Sequence, residues 1–402
     1  MRPPSLARNV SLLAVCQALF FMANTIVIAT AGLVGLQIAP APSLATLPLG
    51  LQFLGTMAAT MPASLLMQRI GRRPGLMLGA ALGVLAGLLG WLAIEWSSFA
   101  LFCLAGANYG AYSAFNQYLR FTAADAADAS LPADPAATRA RAIGWVMAGG
   151  VIAAVAGPEL AKLSVDLRAP VLFAGCYLAI AALAAIGLLT VAGIDIPHQP
   201  PSVLRAGRPL AVLLRQPRLQ LAVAAALIGY VTMNLLMTAT PLAMIACGFS
   251  FADSAFVIQW HVLGMFLPSF WTGALIARYG PERSIAAGAL LMLACVAVNL
   301  GGLELARFAF GLFLLGVGWN LMFIGGTSLL TLAHLPEEKA RVQGLNDLVM
   351  FTTVGASATL AGVLHEAWGW ALMNLAVLPA VLGVLAIILL RGRIGPAAVG
   401  MR

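Results

Sequence analysis

The sequence predicts an all-α membrane protein of twelve transmembrane helices, arranged as two pseudosymmetric bundles of six. Three observations predict it. Of 402 residues, 61% are hydrophobic and only 9% are charged, where an ordinary soluble domain is about a quarter charged. Apolar runs near the roughly 20 residues that a spanning helix requires follow one another from Ser11 to Leu390, and the mean hydropathy is +0.96. Polar and glycine positions recur at a nearly constant displacement between the two halves of the chain.

Breaks at charge, proline and glycine place the first six helices at 11–36, 45–68, 74–95, 98–121, 142–164 and 170–193. The basic start before Ser11 resembles the opening of a signal peptide, but the run behind it is too long and no persuasive cleavage site follows, so it is read as helix 1. The one long polar connection, 194–218, carries Pro197, Pro200, Pro201, Arg205, Arg208, Arg215 and Arg218. Beyond it lie 219–246, 252–277, 283–303, 305–332, 342–364 and 369–391. The expected organisation is therefore a six-helix bundle at 1–193, a cytoplasmic linker at 194–218 and a second bundle at 219–402.

Short cytoplasmic loops retain lysine and arginine. One side holds Arg2, Arg8, Arg69, Arg72, Arg73, Arg139, Arg141, the four central arginines, Arg278, Arg283, Lys339, Arg341, Arg391 and Arg393; the other offers Lys162, Arg168 and Arg307. A multi-pass protein of the bacterial inner membrane is expected, with both termini and the central connection in the cytoplasm.

The formal charge of +8 sits in these turns rather than in a patch, which argues against a nucleic-acid partner. Cys16, Cys103, Cys176, Cys247 and Cys295 lie in apolar runs without a C-x-x-C pair, as small buried hydrophobes do. His198, His261, His334 and His365 are dispersed over different helices and loops, so no metal cluster is expected. No phosphate-binding Gly-x-x-x-x-Gly-Lys-Ser/Thr loop occurs. An enzyme is not expected, nor is a cofactor.

The repeat is specific. Ser64-x-x-x-Gln68-Arg69-Ile70-Gly71-Arg72-Arg73 follows helix 2, and Gly273-x-x-x-Ala277-Arg278-Tyr279-Gly280-Pro281-Glu282-Arg283 follows helix 8, with Gly71 and Gly280 displaced by 209. Gln52 and His261 are also 209 apart; Asn24 with Asn234 and Thr30 with Thr240 are 210 apart. A shift of 210 maps Gly106 and Tyr109 onto Gly316 and Trp319. Parallel six-helix repeats about an axis along the membrane normal are one architecture of rocking transporters.

In these residues the chain resembles the major facilitator superfamily over essentially its whole length. The signature after helix 2 is matched at Arg69, Gly71, Arg72 and Arg73, while Gln68 stands where that family carries an acid and Ser64 where it carries the first glycine. Gly157-Pro158 on helix 5 is similar to half of an antiporter signature, but Glu159 and Ala161-Lys162 depart from the rest. Tyr118-Leu119-Arg120 with Ala124-Asp125, and Asn346-Asp347, resemble a bacterial subgroup that includes riboflavin uptake carriers. The resemblance implies a secondary active transporter working by alternating access, with helices 1, 4, 7 and 10 lining the cavity. It implies a lipid-embedded monomer with a small-molecule substrate and protons as partners.

Polar groups in hydrocarbon are costly and tend to face the bundle interior or a wet cavity. Asn24, Asn108, Asn234 and Asn320 fall near mid-depth on helices 1, 4, 7 and 10, either as amides around a neutral or zwitterionic solute or as interhelical hydrogen bonds. Tyr112 and Trp319 supply flat faces at similar depth, either for a planar ring or for packing. For proton coupling the candidates are His261, which titrates near neutrality when unperturbed, and Glu159, whose alternative is a pair with Lys162. Arg69, Arg72, Arg73, Arg120, Asp125 and Asp347 form a candidate cytoplasmic gate, with Glu337, Glu338, Lys339, Arg341 and Arg278 as its counterpart. Uptake of a planar nutrient of the riboflavin kind, proton-driven drug or metabolite efflux, and a non-transporting receptor are the competing functions, in that order.

Overall fold

The computed structural model describes residues 6–130, 135–196, 208–335 and 338–394. Arg2, Glu337 and the 197–207 part of the central connection, with Pro197, Pro200, Pro201, His198 and Arg205, lie outside the described residues, as do the side chains of Lys339, Arg341, Arg391 and Arg393. No strand occurs among the described residues. The helices are α1 (Leu6–Ile38), α2 (Leu47–Ile70), α3 (Arg72–Glu95), α4 (Phe99–Asn116), α5 (Leu119–Ala129), α6 (Pro135–Ser164), α7 (Ala174–Ala192) and the short α8 (Leu210–Leu214). They continue with α9 (Pro217–Ala246), α10 (Phe251–Phe266), α11 (Ser269–Tyr279), α12 (Pro281–Leu300), α13 (Leu305–Thr331), α14 (Lys339–Ala376) and α15 (Leu378–Ile394).

Packing divides the chain into two compact units. One comprises Met1–Val203, Thr238–Gln259 and Val354–Ala367; the other comprises Leu204–Met237, Trp260–Thr353 and Trp368–Arg402. The first unit is centred on aromatic side chains: Tyr112 meets Phe20 and Tyr109 edge-on at 5.4 and 5.5 Å, and Phe102 meets Tyr177 at 5.3 Å.

Ten segments among the described residues are long and apolar enough to cross a bilayer. Two further predicted spans have physical explanations. α4 carries Asn108, Tyr109, Tyr112, Ser113 and Asn116 in 18 residues, which dilutes its apolar character. The segment Val342–Leu390 runs 49 residues, about 73 Å as one straight helix at 1.5 Å per residue, more than twice the roughly 30 Å hydrocarbon thickness. It breaks at Gly369 (φ 67°, ψ 179°) and again at Val377, near where the sequence separates helices 11 and 12.

Two predicted helices are interrupted. The span expected at 98–121 ends at Asn116 and resumes at Leu119. There Asn116 Nδ2 donates back to Tyr112 O at 2.8 Å and Tyr118 N turns to Phe115 O at 3.1 Å, a tightened turn that stops the regular ladder. The span expected at 252–277 breaks at Leu267–Pro268, because proline has no N–H to continue the helix.

Gly71 and Gly280 show why the two halves align. Gly71 (φ 93°, ψ 165°) ends α2 and donates to Met67 O; Gly280 (φ 87°, ψ 157°) ends α11 and donates to Ile276 O. Both sit in a region that is essentially reserved for glycine and costs other residues on the order of 1–3 kcal/mol. Close helix approaches repeat as well. A Cβ on Gly55 would strike Ala107 O and one on Gly110 would strike Gln52 O, while Gly264 meets Phe313 O and Gly316 meets His261 O in the same way. These contacts pair α4 with α13 at a shift of 206, so Gly110 rather than Gly106 corresponds to Gly316. The expected 210-residue match is one helical turn out of register.

Candidate functional site

In the first unit Asn24 is half-buried on α1, and its Oδ1 accepts from Gln52 Nε2 of α2 at 3.1 Å. Gln52 is 4% exposed, and its Oε1 has no partner among the described residues. Asn108 donates from Nδ2 to Leu82 O of α3 at 2.8 Å. Tyr112 is buried within the aromatic core.

In the second unit Trp319 stacks on Phe323 at 5.0 Å with an interplanar angle of 9°, and Tyr230 meets Trp319 edge-on at 5.5 Å. Trp319 is buried, whereas Tyr230 and Phe323 keep part of their surface open. Trp319 Nε1 is buried and has no acceptor among the described residues. Asn234 is wholly buried on α9. Trp145 and Trp271 point outward and are 70% and 59% exposed.

Asn320 spends its amide on the α10–α11 break. Its Nδ2 donates to Met265 O at 2.7 Å and Ser269 Oγ at 2.6 Å, and its Oδ1 accepts from Thr272 Oγ1 at 2.6 Å. At about 0.6 kcal/mol per bond inside a membrane, the three contribute about 2 kcal/mol to holding a joint that Pro268 leaves open.

His261, fully buried on α10, places Nδ1 2.9 Å from Leu312 O. A carbonyl only accepts, so Nδ1 carries a proton, and Nε2 is the nitrogen left without a partner among the described residues. Glu159 is 48% exposed and pairs with Lys162 at 2.7 Å, one turn on in α6.

The charged residues separate into two groups. Arg72 Nε donates to Asp125 Oδ2 at 2.7 Å, and its guanidinium lies 5.7 Å from the Tyr118 ring. Arg120 rests on Phe121 at 4.9 Å, Arg69 and Arg73 are exposed on either side of Gly71, and Asp347 accepts from Asn346 Nδ2 at 3.2 Å. The second group differs from expectation: Arg278 lies over Tyr279, and Glu338 pairs with Arg208 instead. Glu338 is 1% exposed and receives four donors. They are Arg208 N at 3.0 Å, Nε at 2.7 Å and Nη2 at 2.8 Å, together with Leu335 N at 2.9 Å. These hydrogen bonds, those from Arg208 first, hold the Glu338 carboxyl down at about 2.

A carboxyl depressed from 4.5 in the unfolded chain contributes stability above that pH and loses it as pH falls from 4.5 toward 2. Glu338→Gln should lower the thermal midpoint of the purified protein at pH 7, and the gap to wild type should close over that acid window. A gap that is constant with pH would show that the charge on Glu338 does not stabilise the fold.

Sequence alone groups Tyr230 with Trp319 as an aromatic of similar depth, but it does not add Phe323 or join Arg208 to Glu338. Phe323 stands four residues after Trp319, on the same helix face, which is a readable signal. Arg208 and Glu338 are 130 residues apart, and nothing in the linear pattern joins them. Among the described residues no three His, Cys, Asp or Glu side chains converge as metal ligands.

Known proteins agree with this architecture. The model of the Major Facilitator Superfamily matches residues 13–299. The riboflavin transporter RfnT of Brucella anthropi is 41% identical over 390 residues, 96% of each chain. YdeG of Bacillus subtilis, described as an uncharacterized MFS-type transporter, is 28% identical over 351 residues, 83% of this chain and 80% of that one. Among solved structures, a variant of the nucleoside transporter NupG superposes with a TM-score of 0.75 at 14% identity, covering 96% of this chain and 99% of that one. FucP in its outward conformation gives 0.58 at 18% identity, covering 96% and 98%. The chain belongs to the Major Facilitator Superfamily and is a multi-pass secondary transporter of a small-molecule solute, not an enzyme.

Proposed function

We propose that this transporter takes up riboflavin or a closely similar flat, neutral heterocycle across the bacterial inner membrane, driven by the proton gradient. The observation that carries the reading is the 41% identity across 96% of both chains with a riboflavin transporter. The aromatic group Tyr230, Trp319 and Phe323 supports it, since a planar ring gains about 0.5–1.5 kcal/mol from offset stacking beyond the area it buries.

In this reading Asn24, Asn108 and Tyr112 of the first unit and Asn234 and Trp319 of the second contact the solute. Asn320 keeps a positioning role beside Trp319. His261 takes the coupling proton on Nε2, and Glu159 serves as the partner of Lys162. Arg72 with Asp125 anchors the cytoplasmic gate, to which Arg69, Arg73, Arg120 and Asp347 contribute charge. The halves 1–193 and 219–402 move against each other within one lipid-embedded monomer. Both termini and the 194–218 connection face the cytoplasm.

Radiolabelled riboflavin uptake by a bacterial strain lacking its own carrier tests this. Expression should raise accumulation, an inward proton gradient should raise it further and a protonophore should collapse it. His261→Gln should lose the response to the gradient and retain exchange of riboflavin across the membrane. Uptake equal to the empty-vector control, or accumulation below it, would reject the reading.

A further inference from the structure

A cavity of about 310 Å³ lies in the second unit between the first turns of α9 and those of α14. Val223, Ala224 and Leu227 form one wall, and Val342, Leu345 and Val349 the other. No charged side chain among the described residues lines it. The two polar side chains that do are amides, Gln220 and Asn346. Gln220 Nε2 is held by Leu214 O at 3.0 Å and Asn346 Nδ2 by Asp347 Oδ1 at 3.2 Å. The carbonyl oxygens of both amides accept nothing among the described residues, so two acceptors remain at the rim.

The walls are fixed without a ligand. Arg208, just before α8, is bound to Glu338, just before α14, by three of the four donors that satisfy the buried carboxylate. That ion pair ties the segment leading into α9 to the start of α14, with Leu214 of α8 closing the cavity between them. Along α9, Val223, Leu227 and Tyr230 follow at helical spacing and share a face, so Tyr230 of the aromatic group lies about one turn beyond the cavity wall.

We propose that this cavity is a second binding station on the solute's route, one that takes the flat ring system of a neutral heterocycle and leaves its polar chain outside. The inference rests on the riboflavin-type reading above. The volume is at the lower end of the roughly 300–1,000 Å³ range of small-molecule sites, whose walls are apolar with a few placed polar groups. The single imide N–H of a flavin ring donates to the free carbonyl of Asn346, and the carbonyl of Gln220 stays at the water-facing rim. A phosphorylated form of the same solute is rejected, because none of the side chains that line the cavity carries a positive charge to meet its phosphate.

Val223→Cys in the full-length purified protein places a thiol in the wall, and maleimide labelling above the wild-type background of native cysteines reads its accessibility. Lumiflavin, the ring system without its polyhydroxyl chain, is the probe. Lumiflavin should slow labelling at least threefold, flavin mononucleotide should do so far less, and adding Asn346→Leu should remove the protection. Undiminished labelling in a Val223→Cys protein that still transports riboflavin overturns the second station and leaves the transport reading intact. Protection by a phospholipid but not by lumiflavin identifies a lipid groove and overturns it too. Failure of the wild-type protein to transport riboflavin removes both.

Discussion

Gly50→Leu should reduce the initial rate of solute uptake more than tenfold at equal amounts of protein in the membrane. Gly50 lies on α2 where a Cβ would overlap Thr359 Oγ1 and approach Gly355 O of α14. One turn earlier the wholly buried Thr46 donates to Thr359 O at 3.0 Å and accepts from Gly362 N at 2.9 Å. Four small residues and one hydroxyl thus bring two helix backbones together in a contact that leaves no space for a branched side chain. Close packing of this kind supplies association where lipid gives no hydrophobic force. Thr46→Val, which removes the two hydrogen bonds but keeps the shape, should be much milder, costing about 1 kcal/mol. Uptake by Gly50→Leu within twofold of wild type would show that α2 and α14 need not meet here for transport.

The second large effect is expected at Trp319. Its side chain is 8% exposed, stacked on Phe323 and edged by Tyr230, so Trp319→Ala removes a buried aromatic surface worth about 3–5 kcal/mol. The thermal midpoint should fall, and uptake should fall at least tenfold even when corrected for folded protein. Trp319→Phe separates two contributions. It retains a ring for the stack and deletes Nε1, which has no acceptor among the described residues. A Phe variant with a normal midpoint and a raised apparent KM indicates that the indole N–H contacts the solute. Normal uptake by both variants would remove Trp319 from the transport site.

Much of the helical layout was legible because lipid imposes a length and an apolar composition that few other environments require. The turn glycines Gly71 and Gly280 were legible for a different reason: each sits in a short charged loop where one backbone geometry is tolerated. What escaped notice depends on side chains that bond to backbone. Asn116 ends α4 and Asn320 bridges the α10–α11 break, yet an asparagine in an apolar run gives no sign of which carbonyl it will find. The register of the repeat at α4 and α13 was obscured by the frequency of glycine and aromatics there, and only the backbone approaches of Gly110 and Gly316 separate neighbouring turns. Glu338 looked like one charge among several in a loop. Its burial beneath Arg208 is a property of tertiary packing.

The polarity of α4 also bears on how the protein is made. A segment with Asn108, Tyr109, Tyr112, Ser113 and Asn116 in 18 residues partitions poorly into lipid by itself. Gly106 and Gly110 press it against α2, and Asn108 ties it to α3; both of those helices leave the ribosome first. The lipid tolerance of α4 thus depends on partners already encoded ahead of it, so its place in the order of the chain becomes part of its folding instructions.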